Sequence, residues 1–148
     1  MILSCGQKSE KKENDQAQAN QEDFQPITDQ DMESAVIYEA NIRQYSPEGT
    51  LDAFTKDIPQ LKELGVKIIW LMPVYPISLK NRKATPDKSI EDIDEPNKEE
   101  KYLGSYYAIA DYTAINPNFG NLQDFEELVE TAHENDMYVI LDWVANHT

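Results

Sequence analysis

The 148-residue sequence carries 28 acidic against 13 basic side chains, for a net charge of −15 and a pI near 4.3. Phosphate backbones need a basic face, which excludes nucleic acid as a partner, and no run of about 18 apolar residues offers a membrane-crossing helix. The single cysteine, Cys5, excludes an intrachain disulfide and any thiolate metal cluster.

Residues 1 to about 33 are rich in Gln, Asn, Glu, Asp and Lys and hold one aromatic, Phe24. Such a stretch cannot bury enough apolar surface to offset its ordering entropy, so 1–33 is predicted to be a disordered tether. Within it, Ile2-Leu3-Ser4-Cys5-Gly6 resembles the end of a bacterial lipoprotein leader. That resemblance implies a lipid on Cys5 and an extracytoplasmic protein held off a membrane. Only four residues precede Cys5, so the basic and apolar parts of an export signal are missing.

A β-α-β rhythm starts near Ala35. Ala35 to Ile42 reads as a first strand. Thr50 can cap a helix whose Leu51, Phe54, Ile58, Leu61 and Leu64 recur in steps of three and four on one face, with Gly65 ending it in a left-handed turn. Pro59 falls inside that pattern, where a regular helix loses about 3 kcal/mol, so a kink or restart is expected. Val66 to Leu71 is the second strand, stopped by Pro73 and Pro76. From about Ser78 to Lys101 the chain is polar and aperiodic, the signature of a functional or disordered loop. Asn121 with Asp124 makes a capping-box-like start for a helix lined by Leu122, Phe125, Leu128, Val129 and Ala132. Asn135-Asp136 turns the chain into a third strand, Met137 to Leu141.

This order predicts parallel pairing with helices packed outside. An open doubly wound sheet and an incomplete (β/α)8 barrel both accommodate it. A dinucleotide-binding sheet wants a Gly-rich turn after its first strand, whereas Arg43-Gln44-Tyr45-Ser46-Pro47-Glu48-Gly49 offers no phosphate cradle. Long polar loops after strands one and two are where barrels build their sites. The fold class predicted is therefore α/β, a partial (β/α)8 TIM barrel with its first three strands and first two helices, over residues 35–148. The third strand ends in an acid, Asp142, followed by Asn146 and His147, polar groups delivered to a carboxyl-terminal strand edge.

Asp142-Trp143-Val144-Ala145-Asn146-His147 resembles the first conserved region of the α-amylase superfamily, glycoside hydrolase family 13. Gly104-Ser105-Tyr106-Tyr107-Ala108-Ile109-Ala110-Asp111-Tyr112, then Ile115-Asn116-Pro117-Asn118-Phe119-Gly120, is similar to the segment upstream of it. So are Ile37-Tyr38-Glu39 on the first strand and Leu64-Gly65-Val66 leading to Ile69-Trp70-Leu71-Met72-Pro73 on the second. These blocks lie in order over about residues 35 to 148.

Taken alone, Asp142 reads as a strand-end acid that caps a turn, Asn146 as a turn residue, His147 as a surface imidazole and Tyr107 as a half-buried tyrosine. The resemblance implies more for each. Asp142 would sit beneath the reacting sugar, and His147 would donate a hydrogen bond to a sugar hydroxyl. Asn146 would give one oxygen to a structural calcium. Tyr107, four residues before Asp111, would stack on the sugar ring. Trp70 and Trp143 read as core packing and His133 as solvated. Three departures from the family pattern stand out: Ser105 and Tyr106 intervene between Gly104 and the stacking tyrosine, Ala108 replaces an acid common in exo-acting members, and Asp136 replaces a glycine. The second of these favours internal cleavage.

The resemblance implies a retaining hydrolase of α-1,4-glucans such as starch and maltooligosaccharides. The nucleophile, acid/base and third acid would follow strands four, five and seven, beyond residue 148. The chain is thus expected to be an inactive fragment with no catalytic carboxylate of its own. No protein partner is predicted. The alternatives are a sister activity on the same barrel (oligo-α-glucosidase, pullulan-cleaving enzyme or glucanotransferase) and a non-catalytic sugar-binding protein that lost its acids.

Overall fold

The computed structural model describes residues 25–145. Cys5, Asn146 and His147 lie outside them. The first described element is a helix, α1 (Asp29–Ser34), closed by a reciprocal capping box in which Asp31 N–H donates to Thr28 Oγ1 at 3.1 Å and Asp31 Oδ2 accepts from Thr28 N–H at 3.2 Å. The tether expected over 1–33 is thereby corrected: its last residues are helical, because two local side chains satisfy the helix's first donors without any core.

The strands follow the hydrophobic pattern. β1 is Val36–Ala40, β2 is Val66–Leu71 and β5 is Tyr138–Leu141, and they form one parallel sheet in the order β1-β2-β5. The first strand stops two residues early, since Asn41 and Ile42 turn instead into a short helix, α2 (Ile42–Tyr45). The helix with the internal proline divides as its sequence requires. α3 (Leu51–Thr55) has Ala53 N–H donating to Thr50 Oγ1 at 3.2 Å, and α4 (Ile58–Glu63) restarts with Pro59 in its first turn, where a missing N–H costs nothing. Gly65 takes φ +85° and Asp136 φ +55°, the two left-handed turns that return the chain to β2 and β5.

Between β2 and the last helix, α6 (Leu122–Glu134), lies the polar segment, and it is ordered. It contains a two-stranded hairpin of β3 (Lys83–Thr85) and β4 (Lys88–Ser89), a 3-10 turn at Ile90–Asp92 and a short helix, α5 (Lys98–Lys101). Buried Ile90 and Arg82 give it a small centre of its own. Its two ends run side by side: Ile77 bridges Ile109, Ser78 N–H donates to Ala108 C=O at 2.8 Å, and Ala110 N–H to Pro76 C=O at 2.8 Å. Aperiodicity hides such a unit, because it is held by backbone pairing rather than by an apolar face.

Register settles which face is which. Tyr38, Ile69 and Val139 form one row across the sheet, and Ala40, Leu71 and Leu141 the next row on the same side. Against that side pack Leu51 and Phe54 of α3, Ile58 and Leu61 of α4, and Leu128 and Ala132 of α6, all buried. Tyr45 ties the entry to this layer. Its ring meets Phe54 edge-on at 4.7 Å and its hydroxyl donates to Asp57 Oδ2 at 2.9 Å; burial first and then that carboxylate push the phenol up to about 12. The crossover helices therefore lie on one face only.

The opposite face carries Ile37, Ile68 and Tyr138 in one row and Glu39, Trp70 and Ile140 in the next. Ile37 is 53% and Ile140 45% exposed. Parallel sheets are ordinarily covered on both faces, whereas this face is partly open. Trp70, expected in the core, stands half-exposed on it. His133, expected in solvent, is half-buried on α6, and burial lowers its imidazole pKa.

The 148-residue chain by itself should associate through this face and bind an apolar dye. Sedimentation should show oligomers that Ile37→Lys combined with Ile140→Lys reduces; a dye-silent monomer with a sharp cooperative melt would contradict the assignment.

Candidate sugar-binding site

The ladder of the sheet runs one residue past the strands. Met72 N–H donates to Ala40 C=O at 3.1 Å and Asp142 N–H donates to Leu71 C=O at 3.0 Å. Asn41, Met72 and Asp142 are thereby fixed as the rim at the carboxyl-terminal ends of three adjacent strands, where parallel α/β folds bind ligands.

Tyr107 reaches this rim from the stem of the polar insertion. Ser105 to Ala108 is a tight turn in which Ala108 N–H donates to Ser105 C=O at 3.0 Å and Tyr107 N–H to Ser105 Oγ at 3.2 Å. Desolvation, then a hydrogen bond to Asp142 and that residue's charge, raise the Tyr107 phenol above its ordinary value, with Tyr106 and Glu39 adding smaller repulsions. Of the two neighbouring tyrosines it is Tyr107 that faces Asp142. The Tyr106 hydroxyl instead accepts from Asn41 Nδ2 at 3.1 Å.

A second phenol flanks the acid. Tyr75, which follows β2, is buried, and its pKa is raised by that burial, by Tyr112 and by Asp142. Tyr75 and Tyr112 stand with ring centroids 5.4 Å apart, and the Tyr112 hydroxyl donates to the Val144 carbonyl, pinning the segment after β5. Trp143 lies against Tyr112 at 5.0 Å yet is 69% exposed, so its expected place in the core is corrected: two residues past the strand, its side chain has no element above it among the described residues. A shallow apolar hollow of about 200 Å³, lined by Val74, Tyr75, Tyr112, Ile115, Leu122, Phe125 and Leu141 among others, lies on the helix side of the rim and does not include Asp142.

Of the residues singled out in the sequence, the structure brings Tyr107 and Asp142 together. His147 and Asn146 are outside the described residues. Among the described residues no group of three or more His, Cys, Asp or Glu could hold a metal ion. The sequence reading missed Tyr75, Asn41 and Arg43. Tyr75 had a signal in its place directly after a buried strand, between two prolines; Asn41 was hidden by the overlong first strand, and Arg43 stood out only as part of a turn without a phosphate cradle.

A rim carboxylate set between phenols provides directional acceptors and donors beside flat apolar rings, which suits a neutral polyhydroxylated ring. Residues 9–148 match the α-amylase catalytic-domain family, and the chain belongs to that family of glycoside hydrolases. It is 31% identical over 121 residues to an α-glucosidase of Pediococcus pentosaceus, covering 78% of this chain and 18% of that one. It is 30% identical over 120 residues to α-amylase 3 of Dictyoglomus thermophilum, covering 78% and 19%. Among solved structures it is similar to an α-amylase from Lactobacillus plantarum, with 42% identity and a TM-score of 0.64 over 77% of this chain and 23% of the other. The chain thus spans about a fifth of the length of the curated relatives it matches.

Asp142→Asn should lower the Tyr107 phenol pKa towards the ordinary tyrosine value, by removing the negative charge beside it while leaving a weaker, neutral acceptor. The sign follows from linkage: a raised phenol pKa means a contact fully present below the ordinary value near 10.0 and lost as pH climbs through the raised one. Subtracting the alkaline absorbance titration of Tyr107→Phe from that of the parent isolates this group, and an Asp142→Asn variant with an unmoved titration would refute the contact.

Proposed function

We propose that this chain is the amino-terminal part of a (β/α)8 catalytic barrel that hydrolyses α-1,4-glucosidic bonds of starch-like glucans and maltooligosaccharides with retention of configuration. The observation that carries the reading is the placement of Tyr107 within electrostatic reach of Asp142, at the rim of a parallel sheet whose opposite face is partly uncovered. In this reading the uncovered face is the barrel interior, closed by strands outside the chain. Tyr107 packs its ring on the apolar face of a glucose unit, and Asp142 accepts hydrogen bonds from its hydroxyls. His147 adds a donor from the loop beyond Asp142.

Retaining hydrolysis needs two carboxyls about 5–5.5 Å apart, one as nucleophile and one as acid/base. In this reading Asp142, beside the Tyr107 phenol, holds substrate, and the bond-breaking pair comes from later strands. Asn146 could contribute one oxygen to a structural calcium, whose remaining ligands would come from outside the described residues. The sugar contacts of Tyr107 and Asp142 do not require the ion. Cys5 as a lipid attachment site would place the protein outside the cytoplasm, on a membrane surface, where soluble glucan is met.

The full-length protein should release reducing sugar from starch with retained anomeric configuration, and the 148-residue chain alone should release none. Tyr107→Ala should lower kcat/KM at least tenfold, about 1.4 kcal/mol of transition-state stabilisation. Binding of maltooligosaccharide without turnover would favour the non-catalytic alternative. Turnover confined to α-1,6 bonds, or transfer in place of hydrolysis, would favour a sister activity.

A further inference from the structure

We infer that Arg43 and Asn41, on the turn after β1, are positioning residues that hold Tyr107 in place by clamping its neighbour Tyr106. The inference rests on the sugar-binding reading of Tyr107.

A ring carried on a loop serves a binding site only if the loop is held to within about half an ångström. The turn from Gly104 to Ala108 has that support from two sides. On one side lies the polar insertion: Arg82 is nine-tenths buried, its stem runs so close to Gly104 that a Cβ there would sit 2.6 Å from Cδ, and its Nη1 donates to Leu103 C=O at 3.4 Å. On the other side lies the first strand's end. Arg43 Nη1 donates to Gly104 C=O at 3.0 Å, across 61 residues of sequence. The same guanidinium lies over the Tyr106 ring, with Cζ 5.0 Å from its centroid. Asn41 Nδ2 donates to the Tyr106 hydroxyl at 3.1 Å, so that ring is held at its face and at its tip. Tyr106 in turn packs on Tyr107 at 5.2 Å with the planes inclined by 44°.

Arg43 holds this position at a cost. Burial lowers its pKa, its Nε and Nη2 have no hydrogen-bond partner among the described residues, and no carboxylate pairs with it there. Only a planar guanidinium can stack on a ring and donate in its own plane to a carbonyl at once; a lysine ammonium can do one or the other. Ser105 and Tyr106, the two residues that separate Gly104 from Tyr107, thus supply the handle that the first strand's turn grips. The clamp carries no group that touches the sugar, and its effect passes entirely through Tyr107.

The test uses the full-length protein with Arg43→Met, Arg43→Lys, Tyr107→Ala and the Arg43→Met/Tyr107→Ala pair. Arg43→Met should lower kcat/KM for maltooligosaccharides by about tenfold, mainly through KM, and should cost nothing further once Tyr107 is alanine. Arg43→Lys should recover only part of the loss. Additive losses in the double variant overturn the inference. A second readout is independent of turnover: the Tyr107 titration, isolated by difference against Tyr107→Phe, should fall towards the ordinary tyrosine value in Arg43→Met, and an unmoved titration overturns the clamp. Should Arg43→Met fail to fold, Asn41→Ala removes a single bond to Tyr106 and should move both readouts in the same direction by less; no movement in either refutes the clamp. A protein inactive on glucans whose Tyr107 titration still responds to Arg43 would sink the sugar-binding reading while leaving the clamp intact.

Discussion

Everything at the rim depends on the in-register parallel ladder of β1, β2 and β5. Parallel pairing places like ends of the strands side by side, and the two backbone bonds beyond the strands, from Met72 to Ala40 and from Asp142 to Leu71, carry that alignment one residue further. Residues 41, 72 and 142, far apart in the chain, become neighbours for this reason alone. A slip of one residue in β5 would turn Asp142 to the other face and bring Leu141 in its place.

The ladder also divides the molecule into a covered and a partly open side. α3, α4 and α6 cover one face with a continuous apolar layer, and Phe54 and Leu128 are fully buried there. On the other face Ile37 and Ile140 remain open to water although their alternation marks them as sheet residues with apolar neighbours.

The polar insertion supplies the remaining part of the site. It leaves the sheet after β2 and its end runs back antiparallel to its start, so that Tyr107, in the turn just before the Ile109 bridge, comes near Asp142. Gly104 at φ +75° makes the approach possible, since a side chain there would collide with Arg82. Tyr75 and Tyr112 enter from the base of the same insertion. The acid therefore lies near phenols from separate segments, and among the described residues no salt bridge reaches its carboxylate.

Much of the scaffold was legible in the residues themselves because it follows from local rules. The three strands, the division of the first long helix at Pro59, the Asn121–Asp124 box and the left-handed turns at Gly65 and Asp136 all rest on interactions within a few residues. By family resemblance Tyr107 and Asp142 were also singled out. Tertiary packing decided the rest: that Asn41 leaves the strand to grip Tyr106, that Trp143 stands in solvent, that the aperiodic insertion is an ordered hairpin, and that Tyr107 rather than Tyr106 meets the acid. These depend on contacts tens of residues apart, between side chains and backbone groups that show no periodicity. Local periodicity reports which face of an element is apolar, and only the folded chain reports which other element comes to meet it.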